Sequence, residues 1–515
     1  MAAAKDEQTT QTHVAPEIEQ HPPKQLAWKL PIVIVSLCLA IFLLGLDMNI
    51  IGVAVPHITT DFRSLSDIAW YGSAYLLTIT AFQPFFGNLY NCSAVCAAAK
   101  TSPIFIFGRA LLGFGAAGLL QGALAIIGFT VKLEKVPLFQ GVVVSALGVS
   151  VCVGPVLGGV LTDTAGWRWC FWINLPIGAC VIVAILLLVQ IPQSTNEANR
   201  SLPLRRKLEY MDPIGTTLFL GAVCSLLLAL QWGGQTYPWN SSKCIGLFVG
   251  FGAISLCFGI HQWRRADLAL IPFRILRKRS IYMGALVLFF LGMSSLTYAY
   301  YLPIFFQSAQ GVSTTASGVR FIALVLPQIV GLVVVGAVVS MWGYYVPYMI
   351  AGVILTSTGA GLLTTIEVST PTVSWAAFMV INGLGIGMAQ QLPYTALQAV
   401  LKPSDVATGN AIAVFSYQLG GAVSVAIAQN LLLNGLASTV PQQTDAVRAS
   451  DVIAIGASGL AHLTDSPEVL HALRLAYAGA LRPVFILALA AACFAFPFAC
   501  GMERLNLRHV AEQRE

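Results

Sequence analysis

Thirteen long apolar runs dominate this chain, at about 30–53, 69–90, 104–129, 137–162, 169–191, 213–232, 244–262, 281–308, 318–341, 343–366, 374–400, 406–435 and 482–501. A helix of about 20 residues rises roughly 30 Å, the thickness of the bilayer hydrocarbon. In that medium every backbone polar group must be paired within its own segment. The pattern therefore predicts an all-α polytopic membrane protein of about 13 spans. Charged residues are only 10% of the 515 positions, against about 25% in soluble domains. A β-barrel would need short alternating strands instead. All ten Trp fall at or near the ends of runs, where amphipathic indoles settle at the headgroups.

Residues 1–28 are polar and hold no cleavable signal peptide, so the first run is expected to act as an uncleaved anchor. The net charge of +6 sits mainly in loops on one side and speaks to topology, not to nucleic acid. The eleven Cys are scattered without a CxxC pair, and read as small apolar residues. No GxxxxGK[ST], no HExxH and no nucleophile elbow is present. Enzyme, metal and cofactor functions, and ATP-driven pumping, are therefore not expected.

Basic residues orient the runs. Arg200, Arg205, Arg206 and Lys207, then Arg264, Arg265, Arg274, Arg277, Lys278 and Arg279, then Arg504, Arg508 and Arg514, mark segments expected to be cytoplasmic, as do Lys132 and Lys135. Asn240, in "NSS", falls on the other side as a glycosylation candidate. Following this parity back, the run at 104–129 goes from outside to inside. Following it forward from Lys5, Lys24 and Lys29, the second run ends inside near Tyr90. A dozen residues near 91–103 are then left to cross the membrane, and a dozen helical residues cover about 18 Å. Either the N-terminus lies outside or one span is absent.

Several stretches resemble fungal members of the major facilitator superfamily, in the fourteen-span drug:proton antiporter group. They are "LDMNIIGVAVPHITTDF" (46–62), "GRALLGFGAAGL" (108–119), "ALGVSVCVGPVLGGVLTD" (146–163), "GWRWCFWINLPIG" (166–178) and "GLGIGMAQQLPYTALQ" (383–398). The third matches the antiporter pattern GxxxGPxxGG, except that Gly148 stands six residues before Gly154. The resemblance implies two six-helix bundles around a central cavity, with two extra helices inserted between them. It also implies that the third span is missing between "FQPFFGNLY" and "CSAVCAAAKTSPIFIFGRA". The expected division is a cytoplasmic segment at 1–28, an N-terminal bundle at 29–192, linker spans at 193–279, a C-terminal bundle at 280–503 and a tail at 504–515. The outer loop at 436–481 is mildly apolar and is expected to lie as an amphipathic helix on the outer surface.

Charges within the runs are scarce, and one at mid-membrane costs at least about 2.5–3.5 kcal/mol. Asp47, in the inner two-thirds of the first run, and Arg109, opening another, therefore stand out. In the family both helices line the central cavity and the Arg is implicated in proton coupling. Asp47 then reads either as a carboxylate that exchanges a proton or as half of a fixed ion pair. Gly148, Gly154, Pro155, Gly158 and Gly159 combine a kink with close helix approach, and the resemblance adds an antiporter role. Uncharged polar residues form the substrate-path set, led by Gln390, Gln391 and Pro393 in "MAQQLPY", with Asn382 and Gln418. Asn174 belongs to the same wider polar set.

The expected function is proton-coupled export of a hydrophobic drug, toxin or secondary metabolite from a fungal plasma membrane. The partners are the small molecule, protons and lipid, and the chain is expected to be a monomer. Uptake of a nutrient or siderophore, or a membrane protein that transports nothing, are the alternatives.

Overall fold

The helices begin where short polar side chains offer an oxygen to orphaned N–H groups. Ser241 accepts from the Cys244 N–H, Ser313 from Ala316, Ser466 from Val469 and Asp212 from Gly215. The computed structural model describes residues 29–50, 58, 61–62, 75, 78, 96, 98–188, 212–234, 237–266, 269–402, 405–456 and 459–512. At Gln121, Pro155, Asp163, Thr314, Thr315 and His462 it describes the backbone alone. Among these residues there are helices and two isolated β-bridges.

In chain order they are α1 (Lys29–Asn49), α2 (Ser102–Ala116), α3 (Leu119–Thr130), α4 (Val136–Thr164) and α5 (Asn174–Leu188) in the first bundle. A hairpin of α6 (Pro213–Trp232) and α7 (Ser242–Arg265) follows. The second bundle holds α8 (Arg279–Ser308), α9 (Thr314–Trp342), α10 (Val346–Leu363), α11 (Thr372–Gln390), α12 (Leu392–Val400), α13 (Val406–Gln443), α14 (Ala449–Ile455) and α15 (Pro467–Cys500). A last short helix, α16 (Leu507–Glu512), follows it. Among the described residues, eleven stretches are long and apolar enough to cross a bilayer. The expected run at 104–129 is split into α2 and α3 by a turn at Ala117 and Gly118, where "GFGAAG" is a poor helix former. The run at 69–90 lies outside the described residues except for Tyr75 and Thr78.

Within the first bundle α1 packs on α4 and α5. In the second, α8 packs on α13 and α15, α9 on α11, and α10 on α11 and α15. Between the bundles α4 lies against α9 and α3 against α13. The α6–α7 hairpin leans on α13 through Phe219, Phe258 and Phe415.

One face gathers the basic loops. Arg274 grips Asp405 with two hydrogen bonds of 2.6 and 2.8 Å, and Lys278 Nζ donates to the Val400 carbonyl at 2.7 Å. Tyr345 donates to the Glu503 carbonyl at 2.5 Å, and Leu138 N–H to Ser340 Oγ at 3.3 Å. The loops near 132–138, 269–279, 340–346, 400–405 and 501–507 therefore share this face. The opposite face holds Asp61, which accepts from Trp167 Nε1 at 3.0 Å and Arg168 Nη1 at 3.1 Å, while Arg168 Nη2 reaches the Ala99 carbonyl at 3.2 Å. α1 lies parallel to α4, with Gly45 against Ser150, Asn49 against Gly154 and Ile50 against Gly158. Since α4 starts on the basic face, so does α1.

Three expectations change. The runs at 406–435 and 482–501 extend to Gln443 and back to Pro467. The outer loop shrinks accordingly; within it α14 buries Val452 among Leu436, Val440, Leu473 and Tyr477 and leaves Ser450, Asp451, Ala454 and Ile455 exposed, an amphipathic surface helix held by one face. Trp167 and Trp375 are core residues, not headgroup anchors, packed against Phe105 and Phe306 respectively. Asp47 stands eighteen residues beyond Lys29, about 27 Å along the axis, so it lies at the end of α1 away from the basic face and not in the two-thirds nearest that face.

Candidate functional site

A carboxylate buried in an apolar bundle needs donors around it, since an uncompensated charge there is prohibitively costly. Asp47 is 6% exposed and Arg109 is 1% exposed. Asn174, at the start of α5, donates its Nδ2 to Asp47 Oδ1 at 2.5 Å. Arg109, seven residues into α2, donates Nη1 to the Asp47 backbone carbonyl at 3.3 Å. The Arg109 guanidinium also lies 4.4 Å over the ring of buried Tyr75, a cation–π contact that tolerates desolvation. Three helices, α1, α2 and α5, thus converge on one carboxylate and one guanidinium.

The glycines of α4 separate onto two faces. Gly154 and Gly158 face α1, where added Cβ atoms would meet Asn49 and Ile50 at 3.0 and 2.7 Å. Gly148 faces the other bundle, where a Cβ would meet Ile329 at 2.7 Å. Gly159 is half-buried, and at Pro155 only the helical backbone is described. Sequence reading missed Gly141, whose Cβ would strike the Leu332 carbonyl of α9 at 2.5 Å. Its signal was present: Gly141 and Gly148 are seven residues apart, on one side of a helix.

The amide candidates do not converge. Asn382 donates to the Thr356 carbonyl at 3.0 Å and ties α11 to α10. Gln390 accepts from Gln328 Nε2 at 3.0 Å, Gln418 is half-buried on α13, and Pro393 lies on Gly284. Gln391 differs. It sits at the break between α11 and α12, 2% exposed, with neither amide atom hydrogen-bonded. Further along α12, on the same helix face, Thr395 Oγ1 donates to Gln140 Oε1 at 3.0 Å and Gln398 Nε2 to the Leu124 carbonyl at 3.1 Å. Both bonds cross to the first bundle, so the bundles are joined on the basic side below Gln391. Asn240 is exposed, at the other end of α7 from Arg264 and Arg265.

Two further groupings escaped the sequence. Arg320 of α9 bonds Gln310 and lies over the rings of Phe306 and Trp375 at 5.6 and 5.4 Å. Asp212, with left-handed φ of 44°, accepts from His261 Nε2 at 2.8 Å, Gln262 Nε2 at 2.9 Å and the Gly215 N–H at 3.1 Å. Burial opposes its charge, but those hydrogen bonds outweigh it and hold the carboxyl below the ordinary range. The node fixes the α6–α7 hairpin to the basic face.

Two bundles of membrane-length helices joined across a seam, with Asp47, Asn174 and Arg109 buried together in the first, have the architecture of a membrane transporter. The chain belongs to the Major Facilitator Superfamily, whose family model matches residues 37–425. It is 41% identical over 492 residues to the MFS-type efflux pump MFS1 of Arthroderma benhamiae, covering 92% of this chain and 91% of that one. It is 42% identical over 449 residues to the aspyridones efflux protein of Neocamarosporium betae, covering 83% and 79%. The fold is shared with the proton:xylose symporter XylE bound to 6-bromo-6-deoxy-D-glucose, with TM-score 0.53 and 15% identity over 94% and 99% of the two chains.

Proposed function

We propose that the protein is a secondary transporter that exports a hydrophobic, uncharged or weakly polar small molecule in exchange for protons, across the plasma membrane. The buried Asp47–Asn174–Arg109 grouping carries this reading, because a buried carboxyl held by an amide, with a guanidinium bonded to its own backbone carbonyl, has the composition of a proton site. The similarity to fungal proteins named efflux pumps, one of them for aspyridones, favours export over uptake. Efflux of toxic compounds from a sensitised yeast strain tests the reading. Coupling is tested by Asp47→Asn, and retention of pH-driven efflux would rule out the proton role.

The basic face is assigned to the cytoplasm, which puts both termini inside and Asn240 outside. The same assignment supports a sequence one span short. Asp61 and Ala99 meet at Arg168 on the outer face, so a full pair of spans between them would need to reach the inside and return. Thr78 stands beside Gly113 and Cys96 beside Gly108. From those two levels to Thr130, at the cytoplasmic end, helical legs take about 17 and 22 residues at 1.5 Å each. The sequence supplies seventeen in all, 79–95. Extended chain would leave unpaired backbone in lipid. The shortfall, about 20 residues, is one span. Sequencing the transcript across codons 88–95 decides whether the segment is encoded.

A further inference from the structure

We propose that the C-terminal segment from Gly501 to Glu512 is a strap that holds the two bundles together on the cytoplasmic side, and that its release from the first bundle accompanies opening of that side. The inference rests on the transporter reading above.

The segment is bound to the second bundle along its length. Arg279 Nε donates to the Gly501 carbonyl at 2.6 Å, Ser280 Oγ to Glu503 Oε2 at 2.7 Å and Tyr345 to the Glu503 carbonyl at 2.5 Å. Asn506 pairs with Tyr344 in an isolated β-bridge, and the Leu507 N–H donates to the Gly343 carbonyl at 3.0 Å. Gly343, at φ 82°, ends α9 in the left-handed region. The Asn506 carboxamide lies 2.1 Å from where a Cβ on Gly343 would fall, so a larger residue there would have to displace it as well as adopt a left-handed backbone. Leu507 is fully buried with Val335, Val339, Tyr345, Val346 and Met502.

Beyond that anchor the chain turns into α16, and α16 packs on the Leu133–Lys135 turn, which belongs to the first bundle. The same turn packs on α9. The strap thus lies across the seam, immediately outside the Leu138–Ser340 bond, with Gln140–Thr395 and Gln398–Leu124 deeper in. Anchorage differs at its two ends. The second-bundle end has four hydrogen bonds to side chains or loop and a buried leucine. The first-bundle end rests on a three-residue turn and the half-buried Val510. A rocking motion that parts α4 from α9 must therefore part α16 from Leu133–Lys135 first, while residues 501–507 stay with the second bundle.

The test uses the full-length protein, depleted of its own cysteines, in inside-out vesicles with Ser340→Cys as reporter. The readout is the rate of labelling by a membrane-impermeant maleimide, which needs no transport. Leu507→Asp should detach the strap and raise the rate at least about fivefold by shifting the population toward the open side. Condensing Lys135 with Val510→Glu by a carbodiimide, which forms an amide with loss of water and spares the reporter thiol, should lower it by a similar factor relative to Val510→Gln treated in the same way. An unchanged rate in the bridged protein overturns the proposal even if Leu507→Asp fails to fold. Failure of export by the protein completed with a span near 91, with these labelling changes intact, would overturn the transporter reading and leave the strap standing.

Discussion

The two bundles solve the burial of polar groups in opposite ways. The first buries Asp47 and Arg109 side by side, with Asn174 donating to the Asp47 carboxyl, Arg109 donating to the Asp47 backbone carbonyl and the Arg109 guanidinium over the Tyr75 ring. The second has no charge so buried within its described spans. It uses Tyr298, Asn382, Thr356 and the Thr297–Ser424 contact, hydroxyls and amides bonded between helices, and it leaves Gln391 unsatisfied at a helix break. Charge in a low-dielectric site responds to a proton; neutral amides and aromatics suit an uncharged ligand. On this contrast rests our proposal that the first bundle couples ions and the second contacts cargo.

The largest effect sharpens the comparison by completing the first bundle. Inserting a span of about 20 residues near 91 should raise export of a toxic substrate by at least about a hundredfold over the chain as it stands, read as efflux from yeast. Next, Arg109→Gln in the completed protein should lower export about a hundredfold, or ~2.7 kcal/mol, because it strips a buried carboxylate of its neighbouring cation. Asp47→Asn should abolish the pH dependence of efflux while exchange of cargo persists. If instead Gln391→Ala removed pH dependence and Asp47→Asn altered only cargo preference, the division would be reversed. Gln391→Met should change apparent affinity among cargoes by about three- to tenfold and stabilise the detergent-solubilised protein by about 1–3 kcal/mol, since it removes two unpaired buried polar atoms. Thermal unfolding checks the second figure.

Smaller effects belong to the ends of the bundles. The Asp212 carboxyl is held below its ordinary range, so its charged form favours the folded hairpin. That contribution is complete above the unfolded value near 4 and is lost as pH falls through the lower folded one. Acidification below about pH 4 should therefore destabilise the protein, and Asp212→Asn should flatten this dependence in a pH series of melting curves. The exposed Asp61–Arg168 pair should contribute less, about 0–1 kcal/mol on Asp61→Asn, by the same melting measurement.

Most of the fold was legible because lipid permits few solutions: apolar runs, caps and basic loops read directly as helices and their order. Asp47 and Arg109 were legible for the same reason, since charge in an apolar run is conspicuous. Asn174 was visible only as one amide among many. Nothing local marks it as the donor to a carboxylate 127 positions away. Likewise Gln390, Gln391 and Asn382 look equivalent in sequence, yet two are bonded and Gln391 is not. Gly148 and Gly154 belong to one motif but face different helices, because the turn of α4 between them rotates the first onto α9.

By itself the sequence determined that this chain is a stack of membrane helices with a polarised set of basic loops, a result of the cost of unpaired backbone and misplaced charge in lipid. Tertiary structure decided which polar groups meet, where the bundles touch and where the tail lies. Those outcomes depend on which faces of separate helices pack together, and that is set by shape across hundreds of intervening residues.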